Sequence, residues 1–370
     1  MSSAQLFVTL YKFSVMGTSD NIKVTKATAS KIGTVDFKNL AFGKYFTDHM
    51  LVADYVDGKW GEAEVVPYAP ICVDPSISAI HYGQSIFEGI KAYRMDDGRT
   101  AIFRPKDNFM RFNKSARRIE MPEVPEGLFM NGMKKLLEVD NQWIPKEYDH
   151  AMYIRPFMFS TETTMRVAPS SSYKFIIICS PVGPYYSAPM KIHVEETFVR
   201  AVPGGVGFTK TSGNYAASLH PTAVAKDKGY DQVLWTDAVE HKYVQECGTM
   251  NVFFVIDGKA VTPDLLNGTI LEGVTRDSVL QVLKDMGKEV QERSISIDEL
   301  VEAYKQGKLT EAFGTGTAAT ISKISLLGYK DFVMNFDPEV MPWADEIKAR
   351  LTAIKEGEAP DSHHWMVYVD

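Results

Sequence analysis

Lys210 lies in the stretch Gly204-Gly205-Val206-Gly207-Phe208-Thr209-Lys210-Thr211-Ser212-Gly213-Asn214-Tyr215, among four glycines and several small hydroxyl residues. Glycine lets backbone approach backbone or ligand closely, so such a loop clears space around a charge on a long stem. A lysine amine in that setting can condense with a carbonyl compound. The same composition also suits a solvated surface loop, and the following hundred residues decide between the two. Glu246 stands in Val244-Gln245-Glu246-Cys247-Gly248-Thr249-Met250-Asn251, which reads as the junction between two strands beside a Gly-Thr turn. Gly273-Val274-Thr275-Arg276-Asp277 opens an expected helix, where free N–H groups and the helix dipole favour a phosphate. Gly314-Thr315-Gly316-Thr317-Ala318 reads as a turn able to offer backbone N–H groups and two hydroxyls. An amine, an acid and two anion cups, in that order, match what pyridoxal phosphate requires. It needs a lysine for its aldehyde, a carboxylate to keep its ring nitrogen protonated, and donors for its phosphate.

The elements that must position these groups follow from the hydrophobic pattern. Residues 50–56 and 64–73 alternate as strands around an Asp57-Gly58 turn. Asp97-Gly98 is a hairpin signal leading into the strand 100–103. The helix expected over 105–119 starts at Pro105 and carries Phe109, Phe112 and Ala116 at helical spacing, with Arg111 on one side. A further helix fits 126–138, and strands fit 151–159 and 173–179. After a Pro- and Gly-rich stretch the second half offers a strand at 191–199, the lysine loop, and a helix at 221–228. Strands follow at 231–236 and 251–256, with the Asp257-Gly258 hairpin next and a helix at 274–286. Ser296-Ile297-Asp298-Glu299 is a capping box opening a helix to Gln306, and a strand at 319–326 and a helix at 343–355 complete the chain.

This is an α/β or α+β protein of two domains. The expected division is a weakly ordered arm at 1–31, a smaller α/β domain at 32–182, a linker at 183–190 and a larger, lysine-bearing domain at 191–370. A chain of 370 residues exceeds what one core supports. The formal charge of −7 argues against nucleic-acid or anionic-membrane partners, and the longest apolar runs are strand-sized. Three cysteines without C-x-x-C spacing, and histidines without H-x-x-x-H spacing, point away from a disulfide framework or a metal centre and suit a reducing cytoplasm.

Lys210-x-x-Gly213-Asn214-Tyr215, Glu246-x-Gly248-Thr249-x-Asn251, Gly273-Val274-Thr275-Arg276 and Gly314-x-Gly316-Thr317-Ala318 together resemble the fold-type IV pyridoxal phosphate enzymes. Phe46-Thr47-Asp48-His49-Met50, His81-Tyr82-Gly83, Phe87-Glu88-Gly89 and Tyr153-Ile154-Arg155-Pro156 are similar to the branched-chain amino acid aminotransferases within that group. The likeness runs from about residue 36 to the last residue. It implies the cofactor pyridoxal phosphate held between two domains, in a homodimer whose loops cover each other's sites. It implies transfer of the amino group of leucine, isoleucine or valine to 2-oxoglutarate by a ping-pong route through pyridoxamine phosphate.

The resemblance also implies residue roles. Lys210 would form the Schiff base and shuttle the substrate proton, Glu246 would face the ring nitrogen, and Tyr215 would donate to the cofactor's phenolic oxygen. Arg111, Val274, Thr275 and Thr317 would bind the phosphate. Phe42, Tyr82, Phe87, Tyr153, Val167 and Tyr185 would wall an apolar pocket. Arg155 would recognise the distal carboxylate of glutamate, and Thr317-Ala318 the substrate α-carboxylate. Some members carry C-x-x-C after the Gly-Thr-Ala turn; here the positions are Ala319 and Ser322, which rules out a thiol switch there. The neighbouring readings are a D-amino acid aminotransferase or an aminodeoxychorismate lyase of the same fold, and a cofactor-binding protein without turnover.

Overall fold

Two ten-residue strands, Ala151–Ser160 and Tyr173–Val182, form the antiparallel centre of the first half. The computed structural model describes residues 22–184 and 188–369. Tyr173–Val182 pairs on its far side with His49–Val56, and the sheet continues through Glu64–Pro67 to Lys23–Val24. Ala151–Ser160 pairs on its far side with two short strands, Ser85–Phe87 and Ile90–Arg94. The ladder is interrupted between them, at Glu88-Gly89, beside Pro156. Proline has no N–H to donate, so a gap there orphans no donor. The Pro156 carbonyl accepts from the Glu88 N–H at 2.8 Å. That gap opens into the site described below.

Ile90–Arg94 leads through the Asp97-Gly98 hairpin to Thr100–Phe103, and Met366–Tyr368 then pairs with Thr100–Phe103. Among the described residues this sheet has ten strands. The helices Pro105–Arg118 and Glu126–Val139 pack on it, placing Phe109, Phe112 and Phe129 in one core with Leu51 and Phe175. Proline at the first helical position costs no hydrogen bond, because that N–H has no intrahelical partner.

From Met190 on, the chain builds a second sheet, of nine strands among the described residues. Its order is Val244–Cys247, Gln232–Thr236, Met190–Val194, Thr320–Tyr329, Leu309–Gly316, Asn251–Ile256, Lys259–Thr262 and Val290–Glu292, with Phe332–Asn335 paired to Thr320–Tyr329. The helices Val274–Asp285, Ile297–Lys305 and Pro342–Glu356 bury Leu280, Leu300 and Leu351 in the same core as Phe253 and Phe313 of this sheet. The Asp257-Gly258 hairpin has positive φ at both residues (50° and 70°), which matches the strand twist in a two-residue turn. Ser296 caps its helix through Oγ, which accepts from the Glu299 N–H at 3.1 Å.

Several expectations are corrected. Residues 22–31 are not a loose arm. Lys23–Val24 is a strand, Ser30 Oγ and the Lys31 N–H donate to the Asp48 carboxylate, and the Ala27 N–H donates to His49 Nε2. Asp48 also accepts from Trp143 Nε1 at 2.8 Å, so Asp48-His49 pins this segment to the first sheet. Residues 1–21 lie outside the described residues. The strand expected at 191–199 stops at Val194, because the Glu195 carboxylate turns the chain by accepting from the N–H groups of Thr197 and Phe198. The Gly314-Thr315-Gly316 segment ends the strand Leu309–Gly316, and only residues 317–319 form the turn. The strand Met366–Tyr368 leaves its expected domain and extends the first sheet.

Candidate active site

A cavity of about 400 Å³ lies where the gap at Glu88-Gly89 meets the second sheet. Phe87, Tyr153 and Arg155 line it from the first sheet and Arg111 from the first long helix. Lys210, Tyr215, Glu246, Thr275 and Thr317 line it from the second half.

Lys210 Nζ donates to Tyr215 Oη at 2.8 Å and stands 4.9 Å from the centre of the Phe87 ring. Its backbone is clamped at both ends: the Lys210 N–H donates to Ser115 Oγ, and its carbonyl accepts from the Phe87 N–H. Asn214 Nδ2 donates to the carbonyls of Val206 and Thr209 and so staples the loop to the helix that follows. The glycines of the loop serve the loop itself. A Cβ on Gly207 would sit 2.6 Å from the Thr269 carbonyl oxygen, and none of Gly204, Gly205, Gly207 and Gly213 lines the cavity. The space around the lysine comes instead from the break in the first sheet.

Glu246 lies within the strand Val244–Cys247, 2% exposed, and not at a junction between strands as the sequence suggests. Its Oε2 is 2.8 Å from Arg200 Nε, and its Oε1 accepts from the Leu271 N–H at 2.6 Å. Burial pushes its pKa up; Arg200 and the Leu271 N–H pull against that, with smaller contributions from Lys210 and Arg111. Arg200 was not visible in the sequence as a site residue. Nor was Glu88, which is fully buried and holds Arg111 through Nε at 2.7 Å and Nη2 at 2.8 Å. Arg111 Nη1 donates to the Glu272 carbonyl and Nη2 also reaches Asn108 Oδ1. Of five guanidinium N–H groups, one on Nη1 has no acceptor among the described residues and is left for a ligand.

Two backbone cups face the same space. Val274 and Thr275 begin the helix Val274–Asp285 and line the cavity. Gly273, just before them, leaves no room for a Cβ, which would collide with Asn251 Oδ1. Thr317, Ala318 and Ala319 also line the cavity, and among the described residues their N–H groups donate to no protein acceptor. Thr315 Oγ1 is buried at the same wall, and among the described residues it has no partner.

Arg155 Nη2 donates to Tyr153 Oη at 2.9 Å, and its guanidinium stands 4.6 Å from the Phe87 ring centre. Among the described residues its buried Nε has no acceptor. Phe42 packs edge-on against Tyr153 at 4.9 Å. Tyr82 and Val167 do not join this group. Tyr82 Oη donates to the Met165 carbonyl, Val167 is 84% exposed, and neither lines the cavity. Tyr185 lies outside the described residues.

The residues present fit pyridoxal phosphate: a lysine beside a tyrosine, a buried carboxylate, unpartnered N–H groups and an arginine with one donor to spare surround one cavity of suitable size. A family profile for amino-transferase class IV matches residues 85–327, and the chain is a class IV aminotransferase. It is 49% identical over 341 residues to a probable branched-chain-amino-acid aminotransferase of Staphylococcus aureus, covering 90% of this chain and 94% of that one. It is 47% identical over 340 residues to branched-chain-amino-acid transaminase 1 of Bacillus subtilis, covering 90% and 95%. A branched-chain aminotransferase from Thermoproteus uzoniensis, solved with norvaline, superimposes with a TM-score of 0.72 at 26% identity, covering 87% of this chain and all of that one. The chain belongs to the branched-chain amino acid aminotransferases. Among the described residues no helix is long and apolar enough to cross a membrane.

Proposed function

We propose that the cavity around Lys210 carries out branched-chain amino acid transamination with the following division of labour. Pyridoxal phosphate, when bound, supplies an aldehyde for the amino group and a protonated ring that accepts electrons from the substrate Cα. Lys210 Nζ would carry the proton between the substrate Cα and the cofactor's aldehyde carbon on the far side of the amino nitrogen; the Tyr215 hydroxyl at 2.8 Å steadies the amine between these positions. Glu246, kept ionised by Arg200 and the Leu271 N–H, holds a proton on the ring nitrogen. Arg111, Val274, Thr275 and Thr317 hold the phosphate, and the Thr317-Ala318 turn holds the α-carboxylate.

Phe42, Phe87 and Tyr153 wall an apolar side-chain subsite. Arg155 reaches into that subsite with donors to spare, which suits glutamate and 2-oxoglutarate as the second substrate pair. A homodimer is the assembly that accompanies this reading. Ile80 and Tyr82, on the helix Ser78–Tyr82, and Met165 and Val167 all stand exposed, and Tyr82 Oη donates to the Met165 carbonyl; exposed apolar residues of this kind suit a contact with a second copy.

The observation that carries the reading is the meeting of Lys210, Tyr215 and Glu246 with two sets of free N–H groups around one cavity. The test is glutamate formation from leucine and 2-oxoglutarate, with Lys210→Ala beside the wild type. Wild-type turnover that vanishes in Lys210→Ala, while the variant still folds, is the expected result. A variant that keeps normal rates would mean that the amine lies elsewhere.

A further inference from the structure

Beneath the Thr317–Ala319 turn lie two lysines that the reading above does not use. Lys91, on the strand Ile90–Arg94, donates through Nζ to the Ala318 carbonyl at 2.8 Å. Lys355, in the last turn of the helix Pro342–Glu356, donates through Nζ to Thr320 Oγ1 at 3.1 Å. They are 8% and 4% exposed, and among the described residues neither donates to a carboxylate. Lys355 Nζ is 4.7 Å from the Phe103 ring centre, a contact that offsets only part of the cost of burying a charge. Burial brings Lys91 down to about 8 and Lys355 to about 7, the latter helped by the charge of Lys91. Asp149 and Glu356 oppose these shifts from a distance, but Asp149 is itself paired with Lys348 at 3.3 Å. Two amines have been taken out of water together without a counter-ion in contact.

The geometry of the turn shows what they do. In a planar trans peptide the C=O and the next N–H point in opposite directions. Lys91 holds the Ala318 carbonyl on its own side, so the Ala319 N–H points the other way, and Ala319 lines the large cavity. Both lysines also line a void of about 10 Å³ whose other walls include Thr275 and Thr317, one residue from each backbone cup. We infer that Lys91 and Lys355 are positioning residues: they hold the Thr317–Ala319 turn with its N–H groups facing the cavity and supply the positive charge that an oxyanion bound there balances. The inference rests on the functional reading above, and the oxyanion is either the cofactor's phosphate or the substrate's α-carboxylate.

Two pairs of probes separate these anions. Apo-protein is titrated with pyridoxal phosphate and with pyridoxal, which has the same ring and aldehyde but no phosphate. Holoenzyme is titrated with leucine and with 3-methylbutylamine, which has the same side chain but no carboxylate. Lys91→Met and Lys355→Met are expected to weaken the anionic member of at least one pair about tenfold, with less than about a twofold change for its neutral partner. The pair affected identifies the anion. Lys91→Arg, which keeps the charge and a donor, is expected to recover most of the loss. Replacing a buried, unpaired charge by an apolar side chain of similar size is not destabilising in itself, so apo Lys355→Met is expected to melt at or above the wild-type temperature. Equal losses for anionic and neutral probes, or a lowered melting temperature with unchanged preference for the anions, would reduce the lysines to packing and overturn the inference. If wild-type protein bound pyridoxal as tightly as pyridoxal phosphate, the functional reading itself would fall.

Discussion

Arg200→Met tests whether the charge on Glu246 is set by its partner. Glu246 Oε2 and Arg200 Nε are 2.8 Å apart, and the two side chains are 2% and 8% exposed. Burial alone favours the neutral acid, and Arg200 is the strongest force against it. A hydrogen bond to a charged group contributes about 1.5–3 kcal/mol. At about 1.4 kcal/mol per factor of ten, losing that support for the ionised form predicts a ten- to hundredfold drop in turnover near neutral pH. The sign of the pH dependence follows. Without Arg200 the Glu246 pKa rises further, so the acid is more protonated at neutral pH and no longer supports a proton on the ring nitrogen. Raising the pH ionises it again, and the rate of the variant should climb towards that of the wild type. Arg200 Nη1 also donates to the carbonyls of Gly207 and Thr269, so Arg200→Lys, which keeps the charge and loses the fork, serves as the control for loop collapse. The assay is leucine–2-oxoglutarate turnover across a pH series, at saturating cofactor, with bound cofactor measured by absorbance. An Arg200→Met enzyme with cofactor bound, wild-type turnover and a wild-type pH profile would refute the reasoning.

Arg155→Met should weaken glutamate and 2-oxoglutarate about ten- to hundredfold while sparing leucine, because only the former pair brings a second carboxylate. Half-reactions followed separately with each amino acid decide this, and equal losses would make Arg155 structural. Ser296→Ala removes the cap on Ile297–Lys305 and should cost about 1 kcal/mol in chemical denaturation at unchanged turnover. A loss within error of zero would show that the neighbouring contacts already hold that helix end.

How much of this was legible in the sequence depended on what kind of signal each residue left. Lys210, Glu246, Thr275 and Thr317 are spread over a hundred residues yet meet at one cavity, and the order of their short motifs was enough to single them out. Glu88, Arg200, Lys91 and Lys355 were not assigned a role, because a charged residue in an apolar segment reads as a surface position unless its partner is known. Each is buried against something distant in the chain: Glu88 against Arg111, Arg200 against Glu246, Lys91 against Ala318 and Lys355 against Thr320. The hairpins Asp57-Gly58, Asp97-Gly98 and Asp257-Gly258 and the long helices were readable because their signals are local. The strand Leu309–Gly316 was hidden by Gly314 and Gly316, whose side-chain positions Met250 fills from the neighbouring segment. Tyr82 and Val167 were grouped with the pocket walls by resemblance, and within one chain they face outward.

The pairing of Met366–Tyr368 with Thr100–Phe103 sets a schedule for synthesis. Until Met366 has been made, the strand Thr100–Phe103 presents unsatisfied main-chain groups at the border of its sheet, and such borders recruit strands from other molecules. The Arg104 N–H is in the same position, since its acceptor is the Trp365 carbonyl. The first half of the molecule therefore cannot finish folding while the second is still being translated. A nascent chain held on a ribosome, or one cut short after the helix Pro342–Glu356, carries an open border next to the lysine-bearing strand Ile90–Arg94. Aggregation of such shortened chains, relieved by adding a peptide spanning 364–369 in trans, is the behaviour this topology dictates.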